Sequence, residues 1–164
     1  MLRYVALLLA TVVLIGCEPS ASSSPAPPPA DPDVSIPFRE DGTLSFLRES
    51  DTLTTIAIEI ADTDSSRERG MMQRTSFPPS SGMLFVFPNV APRSFWMANT
   101  PLPLDIMFVD EDLTIVNIIK YTRPFSQASV SSEGPAQYVV EVPAGFSDQH
   151  GLIATDRVRW IDTR

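Results

Sequence analysis

The chain has 164 residues, a formal net charge of −8, one cysteine and one histidine. Its acidity, with a pI near 4.5, argues against a nucleic-acid partner, which requires a basic footprint. The scarcity of thiols and imidazoles excludes a Cys-His nucleophile system and a zinc site built from several such ligands. At the N-terminus, Met1-Leu2-Arg3 supplies a short positive start and Tyr4 to Ile15 is almost unbroken apolar sequence. The run is shorter than the roughly 20 residues a membrane-spanning helix needs. It ends in Leu14-Ile15-Gly16-Cys17, a secretory signal whose cut falls before a cysteine, which is the bacterial lipoprotein pattern. Cys17, with no second thiol to pair with, is thus expected to carry lipid. The first partner is then the membrane, and the address is the extracytoplasmic cell envelope, on the periplasmic face or at the outer membrane. Glu18 to Asp33 (EPSASSSPAPPPADPD) holds almost nothing that packs, as suits an extended tether. The expected organisation is a signal over 1–16, the lipidated cysteine and tether over 17–43, and one monomeric domain over 44–164.

Within that domain, Leu53 to Ile60 (LTTIAIEI) alternates as a half-buried strand does. Asp62 to Ser65 offers helix-capping chemistry, and Ser65 with Glu68 fits a Ser-x-x-Glu box, predicting a short helix from about Ser66 to Gln73. Pro78-Pro79 closes that region. Met83 to Phe87 (MLFVF) reads as a strand covered on both faces, and Ser94 to Met97 as a further extended piece. Ile106–Val109 and Leu113–Tyr121 flank the acidic turn Asp110-Glu111-Asp112 as a hairpin. Tyr138–Val142 and Val158–Ile161 are the remaining strands, with a turn or short helix opening at Pro143-Ala144-Gly145. Frequent strands without long helical periods predict a mainly β, β-rich α+β domain, barrel-like or sandwich-like, with one or two short helices. Gly70 is expected to serve close packing and Gly82 the turn into MLFVF.

The chain also resembles a known family. Arg67-Glu68-Arg69-Gly70-Met71-Met72 with Arg74, then Gly82-Met83-Leu84-Phe85-Val86-Phe87, match its opening signature. Ser94-Phe95-Trp96-Met97, Asn99-Thr100, Pro103-Leu104-Asp105-Ile106 and Glu141-Val142-Pro143-Ala144-Gly145 follow in its order. These motifs resemble domain of unknown function 192 (DUF192), also called uncharacterised protein family 0127, from about Leu53 to Trp160. The resemblance implies a small, mainly β fold, often exported, with no established activity. Met71 stands where Leu is usual, and Ala98 where Lys is common.

The segment SFWMANTPLPLDIMFVD concentrates the chemistry. Trp96 offers a flat aromatic face, and Asn99, Thr100 and Asp105 offer directed hydrogen bonds, a combination suited to sugars and other polar ring-bearing ligands. The same residues also suit a scaffold, in which Asn99 and Thr100 satisfy a turn and Asp105 pairs with Arg67, Arg69 or Arg74. For hydrolysis, Asp105 and Glu141 are the two carboxylates to test. Asp110-Glu111-Asp112 lacks the spacing and glycine of a calcium loop, and the methionines read as core rather than a metal-thioether site. No metal and no cofactor is expected. These features predict a non-catalytic, membrane-tethered module that binds an envelope polymer or a protein partner. The alternative is a small carboxylate-dependent hydrolase acting on an envelope glycan.

Overall fold

The structure, a computed structural model, describes residues 36–164. The expected signal, Cys17 and the tether as far as residue 35 lie outside them. Among the described residues seven strands form one sheet in the order β5-β4-β6-β3-β2-β1-β7. In chain order these are β1 (Gly42–Arg48), β2 (Asp51–Ala61), β3 (Ser81–Phe95), β4 (Leu104–Val109), β5 (Ile115–Ile119), β6 (Val130–Pro143) and β7 (Arg157–Asp162). Helix α1 (Asp64–Arg69) joins β2 to β3, and α2 (Phe146–Gln149) follows β6. Only β2 and β3 run parallel, because the α1 segment carries the chain back across the sheet between them.

The sheet curls until its two edges touch. At one end Ile115 N–H donates to the Asp156 carbonyl at 2.8 Å, and Thr155 and Val158 N–H donate to Ile115 and Leu113 carbonyls at 2.9 Å each. Alternation along every strand then divides the apolar residues between two faces. Ile56, Ile58 and Ile60 of β2 point inward with Leu44, Phe46, Leu84, Met107, Val109, Ile115, Val140, Val142 and Val158, and Phe146 and Leu152 close this interior. On the outer face Met83, Phe85, Leu104, Ile106, Phe108 and Val139 are covered by Met71 and Met97 from the connecting segments. The strongly alternating β2 is therefore buried on both sides at its C-terminal end, which explains the small residues Ala57 and Ala61 on its outer face.

Several elements differ from the sequence reading. The domain begins before residue 44: Asp41 is buried, accepting from Ile60 N–H at 2.8 Å, and β1 starts at Gly42. Strand β3 runs through Pro88 and Pro92 and so joins the piece expected at 83–87 to the first half of that expected at 94–97, ending at Phe95 and leaving Trp96 and Met97 outside it. It does so by breaking register between Val86 and Ala91 and between Pro92 and Ser94, where prolines need donate no ladder bond. Helix α1 starts earlier than expected, capped by Thr63, whose Oγ1 accepts from Ser66 N–H while Ser66 Oγ accepts from Thr63 N–H. It stops at Gly70, whose φ of 46° suits glycine; a Cβ there would lie 3.1 Å from the Phe85 ring. Gly82 is not a turn residue. It lies within β3, where a Cβ would come within 2.9 Å of the Glu141 carbonyl and of Ile56 Cδ1. The hairpin around Asp110 is formed as expected, with Thr114 N–H donating to Asp110 Oδ1 at 2.8 Å.

Candidate functional site

A cavity of about 430 Å³ opens on the outer face of the sheet between α1 and the segment that follows β3. Its walls bring together residues far apart in sequence: Arg67, Glu68, Arg69 and Gly70, then Phe85 and Phe87, then Trp96, Asn99 and Thr100, and finally Glu141 from β6. Trp96 stands at the rim with 55% of its surface exposed. The segment that carries it is fixed by backbone bonds rather than by a long strand. Met97 N–H donates to the Ser126 carbonyl at 3.1 Å, Thr100 N–H to the Met97 carbonyl at 3.0 Å, and Phe125 N–H to the Thr100 carbonyl at 3.2 Å. Phe125, held at that turn, is itself 62% exposed.

The arginines of α1 divide their work. Arg67 donates through Nη1 to the Asp62 carbonyl at 2.5 Å and the Val86 carbonyl at 2.8 Å, and through Nη2 to Asp64 Oδ1 at 2.5 Å. Its guanidinium also lies 5.4 Å from the centre of the Phe87 ring. It is a strut that ties the helix to β3. Arg74 is buried and grips Glu59 with two bonds of 2.9 and 2.6 Å. Arg69 is exposed, lines the cavity, and makes no ion pair among the described residues.

None of these arginines meets Asp105, so the pairing expected from the sequence is not formed. Asp105 is fully buried on the inner side of β4. It accepts instead from the backbone N–H of Tyr121 at 2.9 Å, Gly145 at 3.2 Å and Ser147 at 2.9 Å. Tyr121 and Gly145 both have positive φ, 54° and 88°. One carboxylate thus fixes the end of β5 and the start of α2, and it contributes nothing to the cavity. Trp96, Asn99 and Thr100 do line it; Asp105 does not.

Glu141 points the other way. Alternation along β6 sends Val140 and Val142 into the interior and Glu141 to the outer face. Asp105 and Glu141 therefore lie on opposite sides of the sheet and share no cleft, which corrects the idea of an acid and base pair. Across the sheet Glu141 is flanked by Met83 on β3 and Ile106 on β4, both buried. It keeps only 5% of its surface exposed, and no side-chain or backbone donor reaches its carboxyl among the described residues; Oε2 is wholly buried without a partner. Burial among apolar neighbours penalises the charged form and pushes its pKa up to about 8. At neutral pH the cavity floor thus carries a protonated carboxylic acid, able to donate one hydrogen bond.

Among the described residues no cluster of three His, Cys, Asp or Glu side chains converges as a metal site would require, and no helix is long and apolar enough to cross a membrane. The lone histidine, His150, packs its ring 4.4 Å from that of Phe146. Glu59 was not singled out by the sequence. Its position between Ala57 and Ala61, residues too small for a solvated face to favour, was the available sign that this side of β2 is covered.

Fold and cavity together define a small curled-sheet β domain with a ligand-sized hollow on its outer face. The family model for DUF192, described as Uncharacterized ACR, COG1430, matches residues 46–160, and the chain belongs to that family. Among solved structures it is similar to a protein from Sinorhizobium meliloti 1021 described as a candidate transcription regulator. That pair has a TM-score of 0.69 and 35% identity, over 73% of this chain and 92% of the other. It is also similar to a protein of unknown function from Novosphingobium aromaticivorans DSM 12444, with a TM-score of 0.68 and 30% identity, over 72% of this chain and 84% of the other. No curated protein matches the chain.

Proposed function

We propose that the protein is a non-catalytic binding module of the bacterial cell envelope, held to the membrane by lipid on Cys17, whose cavity beneath Trp96 takes a polar, ring-bearing ligand of the saccharide class. The observation that carries this reading is the exposed Trp96 at the mouth of a cavity of about 430 Å³. That volume falls within the range of about 300–1,000 Å³ usual for small-ligand sites. A tryptophan left more than half exposed on a segment held by backbone hydrogen bonds gives an aromatic face to a sugar ring, and Asn99 adds an exposed amide beside it. The envelope address rests on the basic start, the apolar run and the cysteine after Gly16, with two or three acyl chains contributing about 0.8 kcal/mol per buried CH₂.

Binding is favoured over hydrolysis because the two carboxylates first considered for acid and base work lie on opposite faces of the sheet. The other carboxylate at the cavity, Glu68, is exposed on α1. The regulator description of the Sinorhizobium relative is not carried over, since a net charge of −8 opposes contact with a nucleic-acid backbone. The test is calorimetric titration of the purified protein with solubilised envelope glycan. Binding is expected, and Trp96→Ala should weaken it about tenfold or more with the fold intact, since stacking on an aromatic ring is worth one or more kcal/mol. Equal binding by the wild type and Trp96→Ala overturns the reading.

A further inference from the structure

We propose that the cavity recognises the carboxylate of an acidic saccharide, which accepts a hydrogen bond from the Glu141 carboxyl on its floor while Arg69 at its edge balances the charge. This rests on the saccharide reading above and names the ligand's defining group. The starting point is an unmet bond. Glu141 is buried, lines the cavity, and has neither a cation nor a donor beside it among the described residues. A buried polar group without a partner costs free energy. Oε2 is closed off from solvent, so the small exposed part of the Glu141 carboxyl is what a ligand meets, and in a ligand-sized hollow it marks where the ligand's polar atom belongs.

The chemistry of that atom follows from what Glu141 has to give. As an acid held neutral by burial, it offers one O–H and needs an acceptor. An ionised acceptor makes a bond about twice as strong as a neutral one, and a ligand carboxylate opposite a carboxylic acid forms that bond with one proton between two groups. The surroundings suit an anion. Met83 on β3 and Ile106 on β4 bring no charge. The Glu59–Arg74 pair, one strand beyond Met83, is already neutralised. From α1, Arg67 adds its positive field, with three of its N–H groups given to Asp62, Val86 and Asp64. Among the described residues Arg69 has its guanidinium unengaged, and Glu68, exposed on the same helix, is the one opposing charge in the cavity lining. A neutral acceptor would leave Arg69 without a role.

The proposal fixes a pH dependence. When Glu141 loses its proton, the donor disappears and two carboxylates face each other, so affinity must fall as pH rises through its titration. The experiment compares methyl β-glucuronide with methyl β-glucoside by calorimetry or saturation-transfer NMR on the purified protein. The glucuronide should bind at about pH 6 and weaken about tenfold or more by about pH 9.5, while the glucoside binds weakly and without that slope. Glu141→Gln keeps a donor but does not titrate, so its glucuronide binding should be flat over the same range; Glu141→Leu should lose the preference for the acid. Equal affinity for the two sugars, or the same pH slope in Glu141→Gln, overturns the proposal and leaves saccharide binding standing. If neither sugar binds, the saccharide reading fails, and benzoate decides the rest. Benzoate bound at about pH 6 by the wild type but not by Glu141→Leu keeps the carboxylate site, and no benzoate binding overturns it.

Discussion

Glu59 and Glu141 occupy one cross-strand row of the sheet with Met83 between them, and both are buried. Glu59 is gripped at both oxygens by Arg74. Glu141, two strands away, is left with apolar neighbours and an open cavity. The first is a joint: it ties the loop after α1 to β2, and Arg39 N–H adds a third bond to Glu59 Oε1 at 2.8 Å. The second has no structural work that its surroundings reveal. Two residues of the same type, on the same face, thus separate scaffold from site by whether their hydrogen bonds are already made. Asp105, on the other face, belongs with Glu59: its three backbone donors hold loops in place.

The largest effect should come from breaking the completed pair. Arg74→Met leaves Glu59 buried without its cation, a loss of about 3–5 kcal/mol, read as a fall in the urea midpoint. The double change Glu59→Leu with Arg74→Met should recover most of that loss, since removing both charges also removes the desolvation cost. Next, Asp105→Ala leaves the Tyr121, Gly145 and Ser147 N–H groups without their acceptor, and the expected loss is about 2–4 kcal/mol, with Asp105→Asn intermediate. An unchanged melting temperature for Asp105→Ala would remove it from the scaffold.

The third change acts in the opposite direction. Glu141 in the folded state titrates near pH 8 rather than at its ordinary value of 4.5. The folded protein therefore holds a proton that the unfolded chain has released, and stability falls as pH rises between those values. The slope is about 1.4 kcal/mol per pH unit at most, with the contribution full below the unfolded value and gone above the folded one. Glu141→Gln should flatten this fall and make the protein more stable than the wild type in alkaline solution. Asp41 gives the contrast: its hydrogen bond to Arg39 holds its pKa down, so its stabilisation is lost on acidification instead. Stability curves of both proteins against pH decide the point. The smallest effect is expected at Trp96→Ala, where an exposed side chain leaves stability within about 0.5 kcal/mol.

Much of the fold was legible because it rests on local patterns. The alternation of LTTIAIEI, the apolar MLFVF run and the acidic turn at Asp110 each announce an element whose periodicity or turn chemistry is its cause. Strand β1 was hidden because GTLSFLR is short and adjoins the Pro- and Ser-rich tether. The extent of β3 was hidden because Pro88 and Pro92 argue against a strand unless bulges receive them. For the site, Trp96, Asn99 and Thr100 were legible as a cluster in sequence, and they meet at one cavity. The partners of the acids were not legible. Three arginines and several buried carboxylates allow many pairings, and only the register of β2, β3, β4 and β6 decides that Arg74 meets Glu59, that Asp105 turns to the backbone, and that Glu141 is left over.

The most direct measurement is the titration of Glu141 itself, followed by the ¹³C shift of its carboxyl carbon against pH, with Glu141→Gln identifying the signal. A protonated acid on the cavity floor predicts a midpoint at about 8, lowered or broadened when a cationic ligand replaces an anionic one. A midpoint in the ordinary carboxylate range near 4–5 would mean that the group is charged or partnered at neutral pH, and would contradict the account.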